Sequence, residues 1–185
     1  MSHLIHVRKI SCLLLVVSIG MLLHLSAGCA STPHMDSNSD KNTYSLRFED
    51  NGNGTLIDKK TGNIWLKNAN CFGTKTWTNA VDVVQSLSSG SCGLSDASKP
   101  GDWRLPTIAE LLSLTDNNIV DSSEILNKSG FFDVHPTGHW TSAIYAGNSS
   151  SAWVVRVESG STTYYLKIFP HQVWPIRSQI KDSQK

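Results

Sequence analysis

The run Gly101-Asp102-Trp103-Arg104-Leu105-Pro106-Thr107-Ile108-Ala109-Glu110-Leu111-Leu112-Ser113-Leu114 constrains this chain more than any other, because it fixes where extended backbone gives way to helix. Thr107 suits an N-cap, and Glu110, three residues on, can reach back to the cap's own N–H, so that two orphan donors are satisfied reciprocally. Ile108, Leu111 and Leu112 share one face at helical spacing. Pro106 ends the preceding segment and biases Leu105 away from helical dihedrals. The reading is a strand through Trp103 and Arg104, then a short helix. Arg104, between apolar neighbours and a capped helix, reads as a buried, hydrogen-bonded structural guanidinium rather than a ligand group.

The 185 residues divide unevenly. Residues 1–28 carry His3, His6, Arg8 and Lys9 ahead of an apolar run from Ile10 to Leu25, then Ser26, Ala27 and Gly28, which is the layout of a secretory signal. The run is interrupted by Ser11, Ser18, Gly20 and His24 and is short for a spanning helix. Leu25-Ser26-Ala27-Gly28-Cys29 resembles a bacterial lipobox, with Ser26 where an aliphatic residue is usual. That resemblance implies lipidation of Cys29, stable anchoring by more than one acyl chain, and, with Ala30 following, an outer-membrane destination; an ordinary cleaved signal is the alternative. Residues 29–43 are mostly Ser, Thr, Asn, Asp and Pro and read as a flexible tether.

The remainder suffices for one domain with a real core, expected over residues 44–178 with a polar tail at 179–185. Without Arg8 and Lys9, 14 basic residues face 15 acidic ones. No global field points to nucleic acid. Phe48, the turn Asp50-Asn51-Gly52-Asn53-Gly54, Thr55–Asp58 and Ile64–Leu66 predict a hairpin and a third strand. Glu49, Asn51, Asn53 and Gly54 match the start of a calcium loop, but the twelfth position is Lys60 rather than Glu and no helices flank it, so no metal is assigned. Thr76 opens a helix with Trp77, Ala80, Val81, Val84 and Leu87 on one face and Gly90 beyond its end. Asp116 to Gly130 reads as a surface segment. A strand over 139–145, a hairpin of 152–158 with 162–168 around Ser159-Gly160, and a last strand over 173–177 complete an α+β chain of small antiparallel sheets, two main helices and long loops. In the hairpin, alternation puts Trp153, Val155 and Val157 on one face and Val154, Arg156 and Glu158 on the other.

Cys71 and Cys92 flank the first helix. A disulfide there would close a loop of about 20 residues, worth about 3 kcal/mol, and suits the oxidising compartment that the leader implies. Free thiols or a reactive cysteine are the alternatives.

Together these pieces resemble the Legionella collagen-like protein C-terminal domain family from about Phe48 to Arg177. The carriers are Asp50-Asn51-Gly52-Asn53-Gly54-Thr55, Asp58 with Thr61-Gly62 and Trp65, Cys71 with Cys92, Trp103-Arg104-Leu105-Pro106-Thr107 with Glu110-Leu111, His139-Trp140-Thr141-Ser142, and Trp174-Pro175-Ile176-Arg177. The family commonly has Tyr-Trp-Ser-Ser at 139–142 and Leu or Met at 63–64. The resemblance implies a fold like that of C-type lectins and the formylglycine-generating enzyme, and surface attachment, since the namesake domain is linked to sulfated glycans and host or cell surfaces. It carries no glycan site over residue by residue.

No Gly-x-Ser-x-Gly elbow, His-Glu-x-x-His, phosphate loop or Cys–His pairing appears; the expectation is a non-enzyme without cofactor. Binding needs exposed aromatic and hydrogen-bonding groups, and the C-terminal part offers Tyr145, Trp153, Arg156, Tyr164, Tyr165, Lys167 and His171. Arg and Lys suit sulfate or carboxylate, and aromatic faces suit sugar rings. The same residues also fit an ordinary solvated hairpin, whereas Trp65, Trp103, Trp140 and Trp174 fit a core. The expected protein is an exported, surface-tethered lectin-like domain of the bacterial envelope that meets a polysaccharide or an envelope or host-surface protein. A structural or protein-interaction component of the envelope is the competing class.

Overall fold

The computed structural model describes residues 46–116 and 121–179. The expected signal, the lipidation site Cys29, the tether and nearly all of the tail lie outside the described residues. Within them, no helix is long and apolar enough to cross a membrane.

Turn chemistry starts the fold. The Asp50 carboxylate accepts the Gly52 N–H at 2.9 Å, and Gly54 holds φ +86° where an added Cβ would overlap the backbone of Gly93. The chain therefore reverses between β1 (Phe48–Asp50) and β2 (Thr55–Asp58), and β3 (Asn63–Leu66) follows. These strands form an antiparallel sheet in the order β1-β2-β3-β9, closed by β9 (Ile176–Ser178). The second sheet runs β4-β8-β5-β6-β7: β4 (Thr74–Lys75), β5 (Gly138–Ile144), β6 (Ser151–Arg156), β7 (Thr162–Leu166) and β8 (His171–Gln172). The β5–β8 pair is parallel and every other pair antiparallel.

The last strand expected over 173–177 divides in two. β8 belongs to the second sheet and β9 to the first, and Val173-Trp174-Pro175 crosses between them; a proline N cannot donate to a ladder. Trp174 sits at that crossing. Its indole N–H donates to the Leu66 carbonyl at 2.8 Å, and its ring meets Trp65 and Phe131, each at 5.1 Å between centroids, and His139 at 5.8 Å. Trp65, Trp103 and Trp140 are buried with it.

The described residues hold three helices of more than one turn rather than two. α1 (Trp77–Gln85) ends before Leu87, which is buried beyond it. α2 (Ile108–Ser113) has the full capping box between Thr107 and Glu110. α3 (Ser122–Lys128) lies inside the stretch expected to be surface loop; the Asp121 carboxylate caps it by accepting the Ser123 N–H at 2.9 Å. Its buried residues are Ser122, Ser123 and Leu126, two of them polar, so hydrophobic periodicity carries no signal. The cysteines form a disulfide, Cys71 to Cys92, with Cα atoms 5.7 Å apart.

Two further expectations change around the opening run. Trp103 and Arg104 do not form a strand: Arg104 makes a single β-bridge, exchanging backbone hydrogen bonds of 3.0 Å with Ile176. Nor is its guanidinium buried, the side chain being 42% exposed. It is nonetheless paired with Glu110, through bonds of 2.8 and 2.7 Å to the two carboxylate oxygens. Glu110 also accepts the Thr107 N–H at 2.8 Å, so one carboxylate holds both cap and cation. Burial raises its pKa, but the bonds from Arg104 and Thr107 outweigh that and leave it lowered.

Candidate functional site

The expected binding residues all fall on or beside the second sheet, but register and pleat divide them. Trp153 stands opposite Tyr164, and Ala152 opposite Tyr165. Successive strand residues point to opposite faces, so Tyr164 and Tyr165 cannot share a site. β6 is also not one-sided, because Val154 and Val155 are both fully buried.

One face gathers Tyr145, Trp153 and Tyr164. Tyr145 and Tyr164 stack with centroids 3.9 Å apart and planes 4° from parallel. Trp153 meets them edge-on at 5.6 and 5.8 Å. The register between β5 and β6 shifts between Trp140 and Ile144, a bulge-like irregularity that re-aims the side chains beyond it, and the Tyr145 N–H then bonds the Ser151 carbonyl at 3.0 Å. Gly147 lies against the Tyr145 ring: a Cβ there would be 2.8 Å from Cε1, Cζ and Oη. The hydrogen bond with the neighbouring Tyr164 hydroxyl raises the Tyr145 phenol above its ordinary value. Tyr164 is 47% exposed, at the edge of the sheet.

Lys167 belongs to this end of the sheet. Its N–H donates to the Ser150 carbonyl at 2.8 Å, and its carbonyl accepts the Trp77 N–H at 2.9 Å. Its ammonium lies 4.3 Å from the centroid of the Trp77 ring, a cation–π contact that holds the charge in place.

Arg156 is elsewhere. It lies five residues along β6 from Ser151, which pairs with Leu166, hence about 17 Å away at the usual strand rise. It is also paired with Glu158 at 2.5 Å. Arg156 and Lys167 therefore do not make one anion site.

Tyr165 and His171 occupy the other face, with rings 4.4 Å apart, and His171 meets the buried Trp140 edge-on at 4.7 Å. Desolvation lowers the His171 pKa, which leaves a neutral ring at pH 7. Arg177 pairs with the buried Asp96 at 3.1 Å and lies 5.4 Å from the Trp103 ring, a structural setting.

Two features of this region go beyond the sequence-based expectation. In the sequence Gly147 reads only as part of a turn. Ile144, Leu166, Ile168 and Phe169 are exposed around the edge strand, Ile168 at 71% and Phe169 at 51%; the run Leu166-Lys167-Ile168-Phe169 ahead of Pro170 is the signal that could have found them. Among the described residues, no group of three or more His, Cys, Asp or Glu side chains could hold a metal.

Residues 54–177 match the family model described as Lcl C-terminal domain, about two-thirds of the chain. No curated protein matches the chain.

Proposed function

The chain belongs to the Lcl C-terminal domain family, and from that membership and its aromatic face we propose a non-enzymatic recognition domain, carried on a surface or secreted protein, that binds carbohydrate. The supporting observation is the stacked Tyr145–Tyr164 pair with Trp153 edge-on. Such rings offer the C–H face of a sugar a flat apolar contact, and they are already packed against one another, so little side-chain entropy is lost on binding. Lys167, at the same end of the sheet, supplies charge for a sulfate or uronate. A lectin-like fold and an N-terminal lipid anchor complete the reading: the anchor would hold the domain at the envelope, and the rings would face outward to the ligand.

The test is a glycan array probed with labelled full-length protein, followed by titration of the best hit against Tyr164→Ala and Trp153→Ala. Binding lost in both variants, with unchanged thermal stability, supports the reading. A blank array and no retention on heparin would reject it.

A second reading has its own observation. Leu166, Ile168 and Phe169 are exposed on and just beyond an edge strand that has no outer strand partner among the described residues, which suits contact with an envelope protein. Cross-linking through that edge in cells, with a blank array, would favour it.

A further inference from the structure

A cavity of about 540 Å³ lies between α1 and the opening run. Trp77, Val81, Gln85, Trp103, Arg104 and Ser142 are among the residues that line it. We infer that it is a binding site for a small amphiphile: a flat aromatic or alicyclic ring bearing a carboxylate or similar acceptor group.

Size, wall chemistry and rigidity each support this. The volume is within the range of small-molecule sites, and an apolar wall with a few polar groups is their usual composition. Of the polar residues lining it, Arg104 is a donor only, and Gln85 and Ser142 can donate or accept. The Trp103 side chain lines the cavity with its residue 1% exposed, so it is a reporter of occupancy rather than a donor to the ligand. The Arg104 guanidinium is partly exposed and, after its two bonds to Glu110 and one to the Leu105 carbonyl, retains further N–H groups. No carboxylate lines the cavity. An apolar ring suits the tryptophan and valine lining, and an acceptor suits the remaining Arg104 N–H groups.

The walls are also fixed in advance. Trp77 donates its indole N–H to the Thr141 carbonyl at 2.9 Å. The Gly101 N–H bonds Gln85 at the end of α1 at 2.8 Å, and Arg104 is bonded both ways to Ile176. The Cys71–Cys92 disulfide ties the segment carrying α1 to itself. A preformed site loses less on binding than one that must be ordered.

The probe is 2-naphthoate, titrated into ¹⁵N-labelled full-length protein while the six tryptophan indole N–H resonances are followed; Trp103→Phe identifies the relevant one. The expected result is a saturable shift of the Trp103 resonance, binding at least tenfold weaker for 2-naphthylmethylamine, and at least tenfold weaker binding of naphthoate to Val81→Trp, which fills the cavity. Tyr164→Ala should bind naphthoate as the parent does, which separates this site from the aromatic face. No shift at Trp103, shifts confined to Trp153, or an amine that binds as well as the acid would overturn the inference. Should Val81→Trp fail to fold, the Trp103 resonance and the acid-to-amine ratio decide alone.

Discussion

Gly147 approaches the Tyr145 ring so closely that a methyl group on its Cα would sit 2.8 Å from three ring and hydroxyl atoms. The turn after β5 thus backs the stacked pair with bare backbone, and no larger residue can stand there without moving the ring. Gly147→Ala should unstack Tyr145 from Tyr164. Near-ultraviolet circular dichroism would lose tyrosine signal, sugar affinity would fall about tenfold, worth about 1.4 kcal/mol, and the melting temperature would change little because the residues concerned are on the surface.

The two cations expected to act together are at opposite ends of the hairpin, so their deletions should differ. Lys167→Ala should weaken binding to a sulfated glycan and reduce its salt dependence. Arg156→Ala should leave both unchanged. Titrations at two ionic strengths distinguish the cases, and equal effects from both variants would count against the proposed site.

Glu110 holds both Arg104 and the cap of α2, so the two partners are unequal. Arg104→Ala should cost about 1 kcal/mol, since a half-exposed pair is screened by solvent. Glu110→Ala removes the reciprocal cap as well and should cost about 2 kcal/mol. Urea denaturation measures both, and Arg104→Ala proving the worse would contradict this ordering.

His139 gives the domain an acid sensitivity. It is buried, its Nδ1–H is directed at the Thr137 carbonyl 3.0 Å away, and desolvation lowers its pKa from 6.5 to about 4. A histidine that must stay neutral when folded is fully compatible with the fold above its unfolded value. As pH falls from 6.5 toward 4 the unfolded chain takes up the proton first and stability declines. The loss should reach about 3 kcal/mol, at about 1.36 kcal/mol for each pH step between the unfolded and folded values. Asp58 adds to it at lower pH. Burial raises its pKa, but the bonds from Arg47 and Thr61 outweigh burial and leave it lowered, so its contribution is lost as pH falls through that depressed value. Denaturation midpoints at several pH values for the parent and His139→Gln check this; an equal slope between pH 6.5 and 4 in the two proteins would exclude His139 as the cause.

What is legible in the sequence is local. The Thr107–Glu110 cap and the Asn-Gly turn are defined by residues within four positions of one another, and both form as expected. α3 is not legible, because two serines and one leucine bury where a hydrophobic stripe would mark a helix. The exposure of Arg104 is hidden too, because apolar neighbours along the chain say nothing of what covers a side chain in space. The hairpin that carries the site can be found from its alternation, but which residues share a face depends on register, and the shift after Trp140 and the Tyr145–Tyr164 stack are tertiary facts. The distance between Arg156 and Lys167, by contrast, can be counted along the strands.

The crossing at Val173-Trp174-Pro175 also governs when this domain can fold. The strand that closes the first sheet, and the indole at the meeting point of both, follow β1 to β8 in the chain. A chain that has emerged only to Phe169 holds Trp65, Phe131 and His139 without the ring they pack against, and leaves β3 with an open edge. Its contacts of longest sequence separation then form in one late step, once Ile176 has emerged. Any truncation short of Ile176 would leave a chain with no closed core, a target for proteases and not a shorter version of the domain.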